Sequence, residues 1–542
     1  MELPDAGYGS QNKNPCDPGT RTEILEDIMR CINDVSDTSH TFFWLSGDPG
    51  IGKSAITASV AKECMRRGTL WAQFFINRND ARTVDPKILF PSIVDQMSKS
   101  SPAGKYAVQK AYKELPYLLH DDISEEQAEE LFVAAIRVAA RIDSSKPVVI
   151  VIDALDETDM THLQTIVQIF SQVVADLSFN AKVFVSSRVE QPILNHFRHR
   201  LLSNPQTRQI HLTADSEDSI DEVTKFIKSK IEEIMEEYHL NETHWGPERT
   251  DLLCRRASGL FIWAVTAIKY IRNQIEDNGK ECLRGLLNEL TAENMSDVNN
   301  LYHTILASTF RHSTQDTDSW PLQRFRRIMG AILVRQSPLC IADLVGLLGL
   351  RNSSGDSVDI EHFVRQWRAI LVVGDDEING QTIPRVHRSF SAFVTSRSAG
   401  AFRVDMVNSH GEFAIQCIRQ LRQLWELGTP AQAWYAILFW STHLAGVQKG
   451  MKAEVAVRMD DNAISSTGDA NNTTDPEMNT CTWSDVNTVT NKCSDHDDLR
   501  KVGHTDCIAI SRDLSRVAFV QDGLMYLRGI MRDRKASCRE RV

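Results

Sequence analysis

The sequence predicts an α/β fold: a parallel five-stranded sheet covered by helices, followed by helical and winged-helix domains. Three observations lead there. Up to about residue 214, five short runs of apolar, mostly β-branched or aromatic residues alternate with helical stretches, the pattern of a parallel sheet. The first of those runs leads straight into a glycine-rich loop and then a helix. From residue 215 the pattern turns all-helical, until a late strand–turn–strand stretch.

Composition narrows the class. The 542 residues suffice for three or four domains at roughly 150 residues each. Apolar residues at 42% and charged residues at 24% make an ordinary globular mixture that can bury a core. The net charge of -12 repels phosphate backbones, which disfavours nucleic acid as a partner. The 11 cysteines are scattered, odd in number and without a CxxC pair, a usage that fits a reducing compartment. The opening residues lack the apolar core of a signal peptide, and no apolar run approaches the ~20 residues that span a bilayer. The expectation is a cytoplasmic protein with no membrane contact.

The elements follow in order. Residues 1–40 are a polar lead-in and a helix over 20–32, with Ile24, Leu25, Ile28 and Ile32 on one face. Residues 41–214 carry the strands at 41–46, 70–76, 147–152, 182–186 and 207–212. Residues 215–312 read as a helical domain, in which Asp215 is the expected N-cap and Ile220, Val223, Ile227, Ile231 and Ile234 form one apolar stripe. Over 313–400, helices followed by a hairpin turning at Gly380 suggest a winged-helix domain. Residues 401–447 are helical again. Residues 448–500 are rich in Asn, Thr, Ser and Asp with no lasting period, and read as a disordered linker. Over 501–542, an alternating strand pattern precedes a basic tail.

The glycine-rich loop carries the chemistry. Gly47, Asp48, Pro49, Gly50, Ile51, Gly52, Lys53 and Ser54 match GxxxxGK[ST] between a buried strand and a helix. Such a backbone curls so that successive N–H groups point at phosphate oxygens, and the helix N-terminus adds partial positive charge. Lys53 would neutralise the β- and γ-phosphates, and Ser54 would offer a hydroxyl to Mg²⁺. This makes the sheet a P-loop NTPase sheet. A second strand ends in Asp153-Ala154-Leu155-Asp156-Glu157. There Asp153 is placed to hold Mg²⁺, and either Asp156 or Glu157 could polarise an attacking water. At the end of the next strand, Arg188 can reach a γ-phosphate, because ligands of parallel sheets lie beyond the strands' carboxyl ends.

In order, CDPGTR, GDPGIGKS, AQFFINRND, VVIVIDALDE, FVSSR and SGLFIWA together resemble the NACHT family of signal-transducing (STAND-type) P-loop NTPases. The likeness is to the fungal heterokaryon-incompatibility and NOD-like receptor type, nephrocystin-like at the N-terminal NTPase, and it runs over about 16–445. It implies an NTPase core, a helical domain, a winged helix and a further helical region enclosing a nucleotide. It further implies that Arg21 lies near the base and that His387 meets the diphosphate to close the resting state. The implied activity is a signalling switch: ADP holds the closed form, ATP opens it to oligomerise or meet an effector, and slow hydrolysis resets it. ATP and ADP are the expected nucleotides, with GTP as the alternative, since no NKxD signature is present. The Gly-x-Pro turn that packs on the base in many relatives is replaced by Gly259-Leu260-Phe261, and Phe261 and Trp263 read as core residues.

Other readings stand beside this one. A scaffold could bind nucleotide without turning it over, whereas an ATPase acting on nucleic acid is disfavoured by the acidic balance. Only 40 residues precede the first strand, too few for a folded effector, and Gly503 to Phe519 resembles part of one WD repeat, which alone cannot close a propeller; either the chain is truncated or its sensor has decayed. Cys493, His496, His504 and Cys507 could pair on Zn²⁺, although their middle gap is shorter than usual.

Overall fold

The computed structural model describes residues 3–447, apart from 37–38, 79, 116–124, 143–145, 159, 177–179, 190, 242–244, 247, 311–318, 349–366, 379–380 and 428–432. The expected linker, the repeat-like stretch, the Cys/His quartet and the hairpin turn at Gly380 lie outside the described residues. The chain forms two compact units. One comprises Met1–Thr309, Arg365–Glu377 and Arg385–Phe390; the other comprises the remainder from Phe310 onward.

The first unit is built on a five-stranded parallel sheet. Its strands are β1 (Phe42–Gly47), β2 (Leu70–Phe75), β3 (Val148–Asp153), β4 (Ala181–Ser187) and β5 (Thr207–Leu212), ordered β2-β3-β4-β1-β5. All four pairings are parallel, so every strand ends at the same edge. The helices between and before the strands are α1 (Thr22–Asn33), α2 (Lys53–Arg67), α3 (Ala81–Val84), α4 (Pro86–Ser100), α5 (Pro102–Glu114), α6 (Glu125–Ala140), α7 (Met160–Asp176) and α8 (Gln191–Arg200).

Alternate residues of each central strand serve opposite faces, as the period of two requires. Phe43, Leu45, Val149, Val151 and Phe184 pack with α1 and α2 through Ile28, Ile32, Ile56 and Val60. Phe42, Trp44, Ile150, Ile152, Val183 and Val185 pack on the other face against α4, α6, α7 and α8. Burial of this completeness stabilises by about 1.5–3 kcal/mol per large side chain. Burial on both faces also explains why the central strands read as continuous apolar runs. The five strands expected from the sequence are all present, within a residue of the expected ends.

Beyond β5 come α9 (Glu217–Glu237), α10 (Arg249–Ala257), α11 (Phe261–Asn278), α12 (Leu283–Leu290) and α13 (Val298–Thr309). Two expectations are corrected here. Ser216, not Asp215, caps α9, because its hydroxyl accepts from the Ser219 amide at 3.3 Å and the helix begins one residue later than expected. Ile220 leaves the apolar stripe and is 39% exposed, while Val223, Ile227, Ile231 and Ile234 are buried. The first two turns of α9 instead bury the polar Ser219 and Glu222, which meet Arg21.

The strands β6 (Leu371–Ile378) and β7 (Gln381–Val386) pair as the expected hairpin, and β7 leads into α14 (Arg388–Thr395). In the second unit, helices Trp320–Val334, Ile341–Leu348, Met406–Leu427 and Ala433–Ala445 accompany an aromatic cluster of Phe310, Phe325 and Phe402 and a hydrogen-bonded chain from the buried Tyr435 and His443 to the partly exposed His410. Among the described residues, no helix is long and apolar enough to cross a membrane.

One glycine governs how α11 approaches the sheet. Gly259 has φ +73°, and a Cβ there would lie 1.9 Å from the Ala214 carbonyl oxygen. Backbone must move to admit any side chain. Gly259→Ala is therefore expected to destabilise the chain by more than about 2 kcal/mol, read as a lowered thermal or urea midpoint; an unchanged midpoint contradicts this packing.

Candidate phosphate-binding site

The glycine-rich loop joins β1 to α2 at the carboxyl edge of the sheet. Its glycines take conformations other residues resist, with φ +155° at Gly47, +79° at Gly50 and +98° at Gly52. Two neighbours clamp it. On one side, the Asp48 amide donates to Leu212 O at 3.2 Å and the Asp48 carboxylate accepts from the Ala214 amide at 3.0 Å. On the other, the Ile262 amide donates to Gly50 O at 3.0 Å, and a Cβ at Gly50 would lie 2.3 Å from Ile262 Cγ2. Pro49 is exposed and Ile51 fully buried, so the loop is anchored from beneath by Ile51.

Lys53 opens α2, with Ser54 next to it in the first turn. Lys53 Nζ donates to Gly47 O and Asp48 O, both at 2.8 Å, which holds the ammonium over the loop. Burial pushes its pKa down to about 8, partly opposed by the negative charge of Asp156.

The acidic cluster lies at the end of β3. Asp153 is fully buried. Its Oδ1 accepts from Ser186 Oγ at 2.5 Å, and that hydroxyl accepts in turn from the Ala154 amide at 2.9 Å. Asp153 Oδ2 is buried without a hydrogen-bond partner among the described residues. A buried carboxylate oxygen left so costs free energy that a cation or a bound water would relieve. A hard dication fits this oxygen and the Ser54 hydroxyl by donor type.

Ala154 is left-handed (φ 60°) and turns the chain into a short 3₁₀ segment, Leu155–Glu157. Asp156, 3% exposed, is gripped at both oxygens. Oδ1 accepts from the Arg188 amide at 3.0 Å, and Oδ2 pairs with Arg188 Nε at 3.4 Å and with Arg388 Nη1. Glu157, partly exposed, accepts from the Arg78 amide at 3.1 Å through Oε2. The two carboxylates the sequence left equivalent are thus in different states: one neutralised by two guanidiniums, the other held by one amide.

Segment 385–390 reaches the same cluster. His387 Nδ1 accepts from the Ser389 amide at 3.2 Å and lies 2.7 Å from Ser389 Oγ, which meets Tyr302 Oη at 2.8 Å. With Nδ1 accepting, the neutral ring carries its proton on Nε2 and can donate from there. The ring keeps some open surface but is packed deeply enough that burial, reinforced by Lys13, Arg188, Lys53 and Arg388, pushes its pKa down to about 3. Positive charge therefore converges on His387 from four parts of the chain.

Arg21 sits apart from that convergence. Its guanidinium is buried, donates to Ile51 O at 3.1 Å and lies 5.1 Å from the centroid of the Phe261 ring. Its amide donates to Glu222 Oε2. Phe261 is only half-buried and borders Gly52, unlike Trp263, which is fully buried with its indole N–H on Met295 O at 2.7 Å. The expectation that both are core residues therefore holds for Trp263 alone. Phe261 opens α11 beside the loop, so its ring meets the glycines and Arg21.

Sequence reasoning missed Arg388, Lys13, Ser186, Arg78 and Ile262. Arg388 and Ser186 stand immediately beside residues that were singled out, His387 and the FVSSR strand end. Lys13 and Ile262 carry no local signature, because only the fold brings them to the loop.

Residues 19–188 match the family model described as nephrocystin 3, N-terminal. That stretch holds Arg21, the whole glycine-rich loop, the acidic cluster and Arg188. No curated protein matches the chain. Similar solved structures include the Walker-type ATPase of Pyrococcus abyssi, 12% identical with a TM-score of 0.34, covering 72% of this chain and 98% of that one. The ORC2 protein of Aeropyrum pernix, in its ADPNP–ADP complexes, is 14% identical with a TM-score of 0.35, covering 72% of this chain and 96% of that one. Cdc6p from Pyrobaculum aerophilum is 11% identical with a TM-score of 0.34, covering 72% of this chain and 96% of that one.

Proposed function

We propose that this chain is a nucleotide-operated switch of the NACHT/STAND class, of the fungal NOD-like receptor type, cycling between ADP and ATP, with GTP as the alternative. The carrying observation is the gathering of Lys53, Arg188 and Arg388 about His387, together with a buried oxygen of Asp153, a residue that acts on Lys53, that has no hydrogen-bond partner among the described residues. A nucleotide's phosphates with a divalent cation satisfy both features at once. The reading takes the NTPase core over 41–214, a helical domain over 215–312 and a winged-helix domain over 313–400. Its partners are an effector or further copies of the chain, in the cytoplasm.

In this reading the amides of Gly50 to Ser54 and the Lys53 ammonium hold the β-phosphate. Ser54 and Asp153 would hold Mg²⁺, which would screen charge on the transferring phosphoryl group. Arg188 meets the terminal phosphate, and neutral His387 donates from Nε2 to the diphosphate. Glu157, rather than Asp156, orients the attacking water, since both Asp156 oxygens are already engaged. Arg21 supports the loop at Ile51 and, with Phe261, borders the base side. Hydrolysis is slow and resets the switch.

Binding of labelled ADP by the full chain tests this. Lys53→Ala is expected to weaken it about 10- to 100-fold, the worth of a charge-assisted contact; equal binding by both chains sinks the reading. Phosphate stabilises the charged ammonium, so the complex raises the pKa of Lys53 above its value of about 8. Binding then takes up a proton, and affinity falls as pH rises above about 8, by up to tenfold per unit. Lys53→Arg should flatten that fall.

Turnover separates the switch from a non-hydrolysing scaffold. Glu157→Gln should keep nucleotide binding and slow single-turnover hydrolysis by about 100-fold or more. Equal rates remove Glu157 from the chemistry, and no turnover by the unaltered chain favours the scaffold.

A further inference from the structure

Three side chains carry a hydrogen-bond chain from α11 to His387. Ser389, in the first turn of α14, sets its amide 3.2 Å and its hydroxyl 2.7 Å from His387 Nδ1. That hydroxyl lies 2.8 Å from Tyr302 Oη. Tyr302, on α13, is 1% exposed and packs edge-on against Phe390. It is hydrogen-bonded in turn to Thr266, which is buried on α11. The direction of the chain follows from counting protons. An amide can only donate, so Nδ1 accepts, and the Ser389 hydroxyl facing the same nitrogen must donate as well. Its single proton is then on the ring side, so its oxygen accepts from the Tyr302 hydroxyl, and Tyr302 accepts from Thr266. Burial pushes the Tyr302 hydroxyl up to about 12, which keeps its proton in place at neutral pH. Thr266 stands four positions after Ile262, whose amide donates to Gly50 O at 3.0 Å. Residues four apart share a helix face, so one face of α11 reaches both the glycine-rich loop and this chain.

We infer that Tyr302 and Ser389 are positioning residues that hold His387 as its Nε2–H tautomer, so that α11 sets the phosphate loop and that N–H donor toward the same diphosphate. The inference rests on the nucleotide reading above. A neutral ring with Nδ1 free exchanges its proton between the two nitrogens. In the Nδ1–H form, Nε2 turns a lone pair toward the phosphate oxygens, and a donor is lost. Two donors already aimed at Nδ1 exclude that form, because it would set proton against proton. A donor fixed before the ligand arrives has less freedom to lose on binding. Aligned hydroxyls also polarise one another, which strengthens the bond at the ring. Neither Tyr302 nor Ser389 is asked to touch the nucleotide: both act through His387.

The test uses the full chain with ¹⁵N-labelled histidine, and ADP with Mg²⁺; the His387 signals are those lost in His387→Ala. In the unaltered chain Nδ1 should resonate as a bare ring nitrogen and Nε2 as an N–H. Ser389→Ala leaves only the amide on Nδ1. Tyr302→Phe keeps the ring against Phe390 but frees the serine oxygen to accept from Nδ1–H. Each should populate the Nδ1–H form and weaken ADP binding about threefold to tenfold, the worth of one hydrogen bond. In a His387→Ala background neither should weaken binding further, whereas a merely structural loss would carry over. The two hydroxyls sit on separate elements, so either variant decides the matter if the other does not fold. An Nδ1–H ring in the unaltered chain, an unmoved tautomer in the variants, or equal losses with and without His387 overturns the relay and leaves the nucleotide reading standing. Lys53→Ala separates the failures: if it too binds ADP as the unaltered chain does, the nucleotide reading falls with the relay.

Discussion

The parallel register of β1, β3 and β4 is the constraint on which the rest depends. Because these strands run the same way, the loop after β1, the carboxylates after β3 and Arg188 after β4 all emerge at one edge. The path of the chain also opens that edge. From β1 it leaves through α2 on one face toward β2; from β4 it leaves through α8 on the other face toward β5. Connections that diverge from adjacent strands leave a crevice between them, the usual ligand position in sheets of this kind. Antiparallel placement of any one of the three strands would send its residues to the opposite end of the molecule.

Burial gives the crevice its electrostatic character. Lys53 is held near pKa 8 and His387 near 3, both chiefly by loss of water. One carboxylate, Asp156, is shared by two arginines, and another, Asp153, keeps an oxygen without a partner among the described residues. Arg21 is desolvated likewise, with Glu222 as its compensating charge. A fold seeking only stability would pair or expose such groups, since buried ionic groups rarely return their desolvation cost. Their concentration at one edge gives segment 385–390 a charged surface to pack against.

The sheet was legible because its strands are buried on both faces and so appear as apolar runs between helical stretches. The loop was legible because GxxxxGKS combines turn glycines, a lysine and a hydroxyl in fixed spacing between a strand and a helix. Contacts between distant parts of the chain were not. Nothing near Arg388 announces Asp156, and nothing near Ile262 announces Gly50 O; both pairs exist only once the helices and the hairpin have folded back on the sheet. The α9 start was misread by one residue because Asp215 and Ser216 are both good caps, and only the geometry selects the hydroxyl that reaches Ser219. Phe261 was assigned to the core on its apolarity. Its position at the first turn of α11 instead gives its ring to Gly52 and to the Arg21 guanidinium. That Asp156 meets two arginines while Glu157 meets the Arg78 amide depends on contacts that no local spacing encodes.

The central claim is that a nucleotide's phosphates lie between the amides of residues 47–54 and segment 385–390. Amide hydrogen exchange of the full chain, with and without Mg²⁺ and ADP, tests it most directly. The account predicts slowed exchange at Gly50 to Ser54 and, in the same sample, at residues 385–390, with the outer helices unchanged. Nucleotide-independent exchange at the loop, or protection confined to another region of the chain, would contradict it.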